Sequence, residues 1–251
     1  LRVTEQYACC EGEGSTLGAR TWLVRLSGCD LRCWWCDSKQ SSFREDESQD
    51  LDAAQVERAA LASGCAWVSF TGGEPTWRGQ AEMRTLAGLC RSLRRKGLRV
   101  KVESNGRRLP RELDAVVDLW SVSPKWDGRR PGPGARTAAM DFDERVLARL
   151  VERHAPTGLQ LKFVVTYQGP LPRAADMARC ADILAGLPPA ARRTPVFLIP
   201  EAYAAGDYLQ RCRALERMAS EWTRSGGPLE GFDVRVQPQW HRVLYGDERG
   251  R

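Results

Sequence analysis

Histidine is scarce in this chain of 251 residues: His154 and His241 are the two it has. A zinc site built from cysteine and histidine therefore has few candidate ligands. Long apolar runs are missing too. No stretch approaches the ~20 residues that cross a bilayer as a helix, so no membrane span is expected. Leu1 to Gly14 has neither a basic start nor an apolar segment, and no secretory signal is expected. Blocks of Lys and Arg interleaved with aromatics are also lacking. The formal charge is +6, but nearly all the basic residues are Arg, spread over helices, loops and strands. The densest run, Arg94-Arg95-Lys96, falls at an expected helix end, where it suits the negative end of the dipole. No nucleic-acid partner is expected. Nine cysteines, an odd number, argue against a disulfide framework and point to a reducing cytoplasm.

Three of those cysteines stand close together. Cys29, Cys33 and Cys36 form a C-x3-C-x2-C run. Thiolates are soft ligands for iron–sulfur clusters, zinc and copper(I). A cubane cluster normally takes four cysteines, so three wrap three corners and leave one iron open. An open position is what a catalytic metal site needs. Two other readings stand beside this one. The run could be a zinc knuckle with a distant fourth ligand, or buried thiols packed as small hydrophobes. Cys9, Cys10, Cys65, Cys90, Cys180 and Cys212 show no ligand spacing among themselves.

Short β-branched or aromatic runs alternate with helical patterns. Strands are predicted over 21–26, 67–71, 98–103, 118–122, 159–166, 196–200 and 233–237. Helices are predicted over 52–63, 79–96, 141–154, 172–187 and 208–223. Strands alternating with helices imply βαβ units and a parallel sheet. About six units are too few for a closed eight-fold barrel. The expected fold is α/β, a partial TIM-like barrel of about six parallel strands. Residues 44–50 read as a charged surface loop, 127–136 as a mobile Pro/Gly/Arg-rich loop, and 225–231 as a turn-rich connection. None reads as a domain boundary, so residues 1–251 are expected to form a single domain.

The unusual residues gather just after strands. The cysteine loop, Gly72-Gly73-Glu74-Pro75, Ser104-Asn105-Gly106, Ser123-Pro124-Lys125 and Pro200-Glu201 all sit at carboxyl ends. Parallel α/β folds bind ligands there. Paired glycines let a ligand approach the backbone, and a carbonyl or carboxylate in that turn can accept bonds from an ammonium. Trp35 offers a flat apolar surface beside the cysteines, or is a core residue. Ser123 and Lys125 suit a ribose hydroxyl or an anion. Arg25, mid-strand between Val24 and Leu26, needs a partner if buried: a ligand carboxylate or a structural Glu. Gln239 and His241 form a weaker Gln-x-His pattern.

The cysteine run followed by Gly-Gly-Glu-Pro resembles the radical S-adenosylmethionine (SAM) superfamily. Within it the chain is most similar to the 7-carboxy-7-deazaguanine synthases (QueE) of queuosine and deazapurine biosynthesis. The segments that carry the likeness run from Gly12-Glu13-Gly14 through Val24–Cys29, Trp35-Cys36-Asp37, Thr71–Pro75, Glu103–Gly106, Ser123–Lys125 and Leu161–Val165 to Gln239-x-His241. The resemblance implies a single radical SAM domain with an N-terminal substrate-binding segment and a C-terminal extension. It implies that Cys29, Cys33 and Cys36 hold a [4Fe–4S] cluster whose open iron takes SAM. It places Trp35, Cys36, Asp37, Gly72, Gly73, Glu74, Ser104, Asn105, Ser123, Pro124, Lys125, Pro200 and Glu201 around SAM. Ser38 stands where the family has a Mg²⁺-binding Thr, and a hydroxyl is a hard ligand suited to Mg²⁺. Cys10, Glu11, Gly12, Glu13, Arg25, Thr71 and His241 fall on substrate positions, with Glu13 and Arg25 as catalytic candidates. The implied substrate is 6-carboxy-5,6,7,8-tetrahydropterin, a small pterin. An electron from flavodoxin or ferredoxin would cleave SAM to a 5′-deoxyadenosyl radical that takes hydrogen from C6. Ring contraction with loss of ammonia would follow, with SAM regenerated. A homodimer is implied as well.

The sequence departs from the family at Glu11, where the family has Gln, at Ile199 before Pro200, and at Ser38. Ten residues also follow His241. A carboxylate at position 11 can still accept N–H bonds from a pterin edge. It also suits a different, cationic or peptidic substrate. Three readings follow: the synthase, a radical SAM paralogue that modifies peptides or activates a glycyl-radical enzyme, or a non-catalytic cluster- or zinc-binding protein. The Glu11–Gly14 segment and Gln239-x-His241 favour the first.

Overall fold

The computed structural model describes residues 1–126, 142–202, 207–246 and 248. Eleven strands and eight helices are named here in chain order. The strands are β1 Arg2–Cys10, β2 Arg20–Leu26, β3 Gln49–Asp50, β4 Trp67–Gly72, β5 Arg99–Ser104, β6 Leu119–Val122, β7 Leu159–Val165, β8 Tyr167–Gln168, β9 Leu171–Pro172, β10 Val196–Pro200 and β11 Val234–Val236. The helices are α1 Lys39–Phe43, α2 Ala53–Ala62, α3 Gln80–Arg95, α4 Arg111–Asp114, α5 Glu144–His154, α6 Ala174–Ala185, α7 Tyr208–Trp222 and α8 Trp240–Tyr245.

Nine strands make one sheet in the order β11-β10-β7-β6-β5-β4-β2-β1-β3. Seven of them, β2, β4, β5, β6, β7, β10 and β11, pair in parallel. All seven correspond to strands predicted from the sequence, the last of them shortened to the three residues of β11 at the edge, so the sheet holds seven parallel strands where about six were expected. β1 and β3 join antiparallel at the other edge. The two edges do not pair among the described residues, so the barrel is partial, as the strand count implied. β1 was not foreseen. Its nine residues alternate weakly and are mostly half-buried, as befits a strand near an edge.

Alternation within the parallel strands separates two faces. Val68, Phe70, Val100, Val102, Trp120, Val122, Leu161 and Phe163 point one way, into the apolar core under the helices. Ser69, Thr71, Lys101, Ser121, Gln160 and Lys162 alternate with them and are also buried. The concave face of the sheet is therefore polar, and its groups need partners or a ligand.

Local signals set the helices. Asp52 caps α2 in a reciprocal box with Gln55. Asp143 caps α5 and Asp207 caps α7 through backbone N–H bonds. α5 thus begins at Glu144, later than the predicted start at 141, a residue outside those described. α6 begins at Ala174 because Pro172 belongs to the β8–β9 hairpin. The charged stretch 44–50 contains a 3-10 turn and β3. The predicted loop over 127–136 lies outside the described residues.

Candidate active site

The cysteine loop leaves β2 through Gly28, whose φ of +90° favours glycine. It is anchored on both sides. Gly28 N–H donates to Ser41 O at 2.7 Å. From the next strand, Gly73 N–H donates to Leu26 O at 2.7 Å and Glu74 N–H to Gly28 O at 2.8 Å. A Cβ on Gly73 would fall 1.9 Å from Gly28 O, a backbone atom that cannot yield cheaply. The Gly-Gly turn is thus a clamp on the cysteine loop as well as an open face for a ligand. Gly73→Ala is expected to displace the loop and to lower iron content after reconstitution to below half that of the wild type. Full iron content with unchanged visible absorbance would remove the clamp.

Glu74 is 2% exposed. One of its oxygens accepts from the backbone N–H and hydroxyl of Thr76, at 3.0 and 2.7 Å. The other accepts from Asn105 N–H at 2.7 Å. The carboxylate ties the loop after β4 to the loop after β5. Within this loop, the Gly72-Gly73 backbone is better placed than the Glu74 side chain to meet a ligand amine.

Cys29, Cys33 and Cys36 are free thiols on the wall of a cavity of about 660 Å³, inside the size range of ligand sites. Burial pushes Cys29 up to about 12 and Cys33 to about 11, and also raises Cys36. Leu31 N–H donates to Cys29 Sγ at 3.4 Å. A single ion bound to three sulfurs at ~2.3 Å would hold them within about 4 Å of one another. Among the described residues the groups gathered within 4.8 Å are Glu13, Asp37 and His241, not the three cysteines. A wider spacing suits a cluster, in which each cysteine binds its own iron. The donor set fits a [4Fe–4S] group. Trp35 stacks edge-on against Trp34 at 5.4 Å, and its Nε1 is buried with no hydrogen-bond partner among the described residues.

Every residue that the sequence assigned to cluster, SAM, Mg²⁺ or substrate lines this one cavity, except Pro124. Pro124 lines a small adjoining pocket with Trp35 and Lys125. Lys125 Nζ donates to Ser123 Oγ at 2.5 Å. Asn105 donates to Asp30 at 2.9 Å, which holds the β5 loop near the cysteines.

The opposite wall is charged. Strand register aligns Glu5, Arg25 and Thr71 across β1, β2 and β4, and Thr71 Oγ1 donates to Glu103 at 3.1 Å. Arg25 Nε pairs with Glu5 at 2.8 Å, while a second guanidinium nitrogen donates to Ser38 Oγ at 2.8 Å. The structural Glu and the cavity position are therefore both realised. Burial opposes the Arg25 charge, but Tyr7, Asp37 and Glu5 outweigh it and raise the pKa. Ser38 Oγ in turn donates to Asp37 at 3.0 Å. Hydroxyl and carboxylate oxygens here are of the type Mg²⁺ takes. A cation on Ser38 requires Arg25 to release that oxygen.

Gln239 donates from one amide nitrogen to Glu13 and to Asp37, both at 2.8 Å. Trp240 N–H donates to Gly12 O at 2.9 Å. A Cβ on Gly12 would meet His241 Nδ1 at 2.5 Å. The glycine lets the C-terminal segment close against the Glu11–Gly14 segment. Lys162 donates to Glu13 at 2.7 Å. Burial would raise the Glu13 pKa, but the Lys162 charge overcomes it and lowers it.

Sequence reasoning gave no role to Lys101, Glu103, Lys162, Glu5 or Tyr7. Lys101 lies behind the wall, 2.8 Å from Glu11 and 2.7 Å from Glu103, and the other four line the cavity. For Lys101, Glu103 and Lys162 the available signal was a charge inside an otherwise apolar parallel strand, and for Glu5 and Tyr7 on β1 there was none.

The radical SAM superfamily model matches residues 23–123. The 7-carboxy-7-deazaguanine synthase of Pyrobaculum aerophilum is 31% identical across 100% of this chain and 97% of its own length. That of Rhodopirellula baltica is 30% identical across 100% of this chain and 88% of its own. The chain belongs to the 7-carboxy-7-deazaguanine synthase family of radical SAM enzymes. In fold it is similar to QueE from Escherichia coli, with a TM-score of 0.60 at 19% identity over 94% of this chain and 93% of that one. SuiB from Streptococcus suis, solved with its precursor peptide SuiA, superposes with a TM-score of 0.58 at 14% identity over 86% of this chain and 48% of its own. Among the described residues no helix is long and apolar enough to cross a membrane.

Proposed function

We propose that the protein converts 6-carboxy-5,6,7,8-tetrahydropterin to 7-carboxy-7-deazaguanine with loss of ammonia, as a radical SAM carbon–nitrogen lyase. The observation that carries this reading is full-length kinship at 30–31% identity to proteins of that name. It is supported by one cavity that joins the three cysteines to a charged wall suited to a small carboxylated heterocycle.

Cys29, Cys33 and Cys36 would hold the [4Fe–4S] cluster, with SAM against Trp35, Gly72-Gly73 and Ser123–Lys125. When bound, cluster and SAM supply a 5′-deoxyadenosyl radical that takes hydrogen from the substrate. Arg25 turns its guanidinium to the substrate carboxylate, a charge-assisted and directional contact. Glu11 accepts from the 2-amino-pyrimidinone edge. Glu13, held by Lys162 and Gln239, faces the ring beside His241. Ser38, with Asp37 beside it, would hold Mg²⁺, which would supply a hard Lewis acid to the substrate's oxygens. Flavodoxin or ferredoxin supplies electrons, and the chain works as one domain, in a homodimer, in the cytoplasm.

The deciding experiment is anaerobic incubation with SAM, reductant, Mg²⁺ and the carboxypterin, read by mass spectrometry. Product at the mass of 7-carboxy-7-deazaguanine is expected. Protein that carries its cluster and cleaves SAM yet leaves the carboxypterin unchanged would sink the reading. Ser38→Ala removes a hard oxygen ligand and is expected to abolish Mg²⁺ stimulation of turnover. Stimulation equal to that of the wild type would take Ser38 out of the metal site.

A further inference from the structure

Lysine is rare here: Lys39, Lys96, Lys101, Lys125 and Lys162 are set among 38 basic residues. Two of the five are buried in strands beside the cavity, Lys101 at 1% exposure and Lys162 at 5%. Lys101 does not line the cavity. It lies on β5 two residues before Glu103, so both side chains leave the same face of the strand. Its Nζ is 2.8 Å from Glu11 Oε2 and 2.7 Å from Glu103 Oε1. Lys162 is 2.7 Å from Glu13 and 3.4 Å from Glu103. Five groups, Glu11, Lys101 and Lys162 buried and Glu13 and Glu103 half-buried, thus form one chain, Glu11–Lys101–Glu103–Lys162–Glu13.

The contact between Lys101 and Glu11 is one of charge rather than of direction. Neither Lys101 Nζ nor Glu11 Oε2 completes a hydrogen bond of good angle among the described residues. Glu11 Oε1 takes the Gly12 N–H at 3.2 Å. Glu11, which lines the cavity, is therefore charge-compensated by a residue that does not, and Oε1 has a second lone pair beyond the one that takes Gly12 N–H. A buried carboxylate with no cation beside it is costly. Burial works against the Lys101 charge, but Glu103 and Glu11 overcome it and raise its pKa. Glu103 stays ionised, since Lys101 and Lys162 overcome its burial.

We propose that Lys101 is the positioning residue that allows a glutamate at position 11 to recognise the donor edge of the bound heterocycle. It does so by neutralising Glu11 from behind the cavity wall. The proposal rests on the substrate reading above and concerns a residue that never touches the substrate. Three carboxylates against two ammonium groups leave the chain one negative charge in excess. An amino-pyrimidinone edge, which presents several N–H groups, complements that excess, and a carboxylate or phosphate at the same place does not. An amide at position 11 would accept the same bonds with no need of a counter-ion. The role of Lys101 is therefore tied to Glu11.

The test is a cycle of Lys101→Met, Glu11→Gln and the double variant. Two quantities are read: KM and kcat for the carboxypterin, and the dissociation constant of 6-carboxypterin, which keeps the same donor edge. Cluster absorbance and substrate-free SAM cleavage check that each variant is loaded. Lys101→Met is expected to weaken binding and raise KM by roughly ten- to a hundredfold, the scale of one unsatisfied buried group, with SAM cleavage unchanged. Adding Glu11→Gln should restore both to within about threefold of wild type. A double variant as impaired as Lys101→Met overturns the proposal, as does a Lys101→Met protein that binds normally. If Lys101→Met does not fold, the double variant alone decides. It should fold and bind the pterin, and its failure while Glu11→Gln works overturns the proposal. Wild type is measured first. Loaded wild type that cleaves SAM but ignores both pterins overturns the substrate reading and this role together, whereas failure of the cycle alone overturns only the role.

Discussion

Replacing Cys29, Cys33 and Cys36 together with alanine should take the protein from about four irons per chain, the cubane stoichiometry, to none above background. The broad visible absorbance of the cluster and all SAM cleavage should go with it. The structure makes the outcome sharp. Cys65, Cys90 and Cys180 are buried elsewhere, and burial pushes the Cys90 and Cys180 thiols well up. Cys9 and Cys10 do line the cavity, on β1, and Cys9 is raised to about 12 by burial and by Glu11. A triple variant that still holds iron would point to that pair as ligands and would end the three-cysteine assignment. The fold should survive. The loop is anchored by backbone bonds from Gly28, Gly73 and Glu74, and the apolar core lies on the other face of the sheet. Far-ultraviolet circular dichroism equal to that of the wild type would separate loss of the cluster from loss of the protein.

The parts of this site visible in the sequence are those where local chemistry is unusual. Three cysteines within eight residues, a Gly-Gly turn after a strand and Ser-Pro-Lys after another stand out against any background. The parallel strands were visible because both of their faces are buried and their apolar runs are short and dense. β1 was missed for the opposite reason. It alternates Arg2, Thr4 and Gln6 with Val3, Glu5 and Tyr7, and no apolar run marks it. Lys101 and Glu103 were in view inside Val100-Lys101-Val102-Glu103, but one-dimensional reading gives a buried charge no partner. The partner arrives from Glu11, some ninety positions away, once β1 and β5 flank the same cavity. Glu74 shows the reverse. Its place in the Gly-Gly-Glu-Pro turn suggested a ligand contact, and its carboxylate is engaged by Thr76 and Asn105. Those bonds join loops after different strands, which no local motif reveals.

Arg25→Lys is expected to raise KM for the carboxypterin by roughly ten- to a hundredfold while substrate-free SAM cleavage stays within about twofold of wild type. Arg25 is the cavity-wall cation set between Glu5 of β1 and Thr71 of β4. Its planar fork holds Glu5 with Nε and reaches Ser38 with another nitrogen. One guanidinium can therefore keep its structural partner and turn its free edge to a ligand carboxylate. Lysine keeps the charge but has a single ammonium and no fork. It can pair with Glu5 or with the substrate, but not with both in plane. The loss is one charge-assisted bond, worth about 1.5–3 kcal/mol, which sets the expected range in KM. SAM cleavage is spared because, among the described residues, the guanidinium of Arg25 bonds to Glu5 and Ser38 rather than to Trp35, Gly73 or Lys125. Burial and neighbours also matter to the comparison: Tyr7, Asp37 and Glu5 hold the wild-type guanidinium charged against its burial, so Arg25 itself should not change charge between pH 6 and 9. A parallel fall in SAM cleavage would mean that Arg25 supports the cluster side of the cavity. An unchanged KM would remove it from the substrate site and leave the Glu5 pair as its whole role.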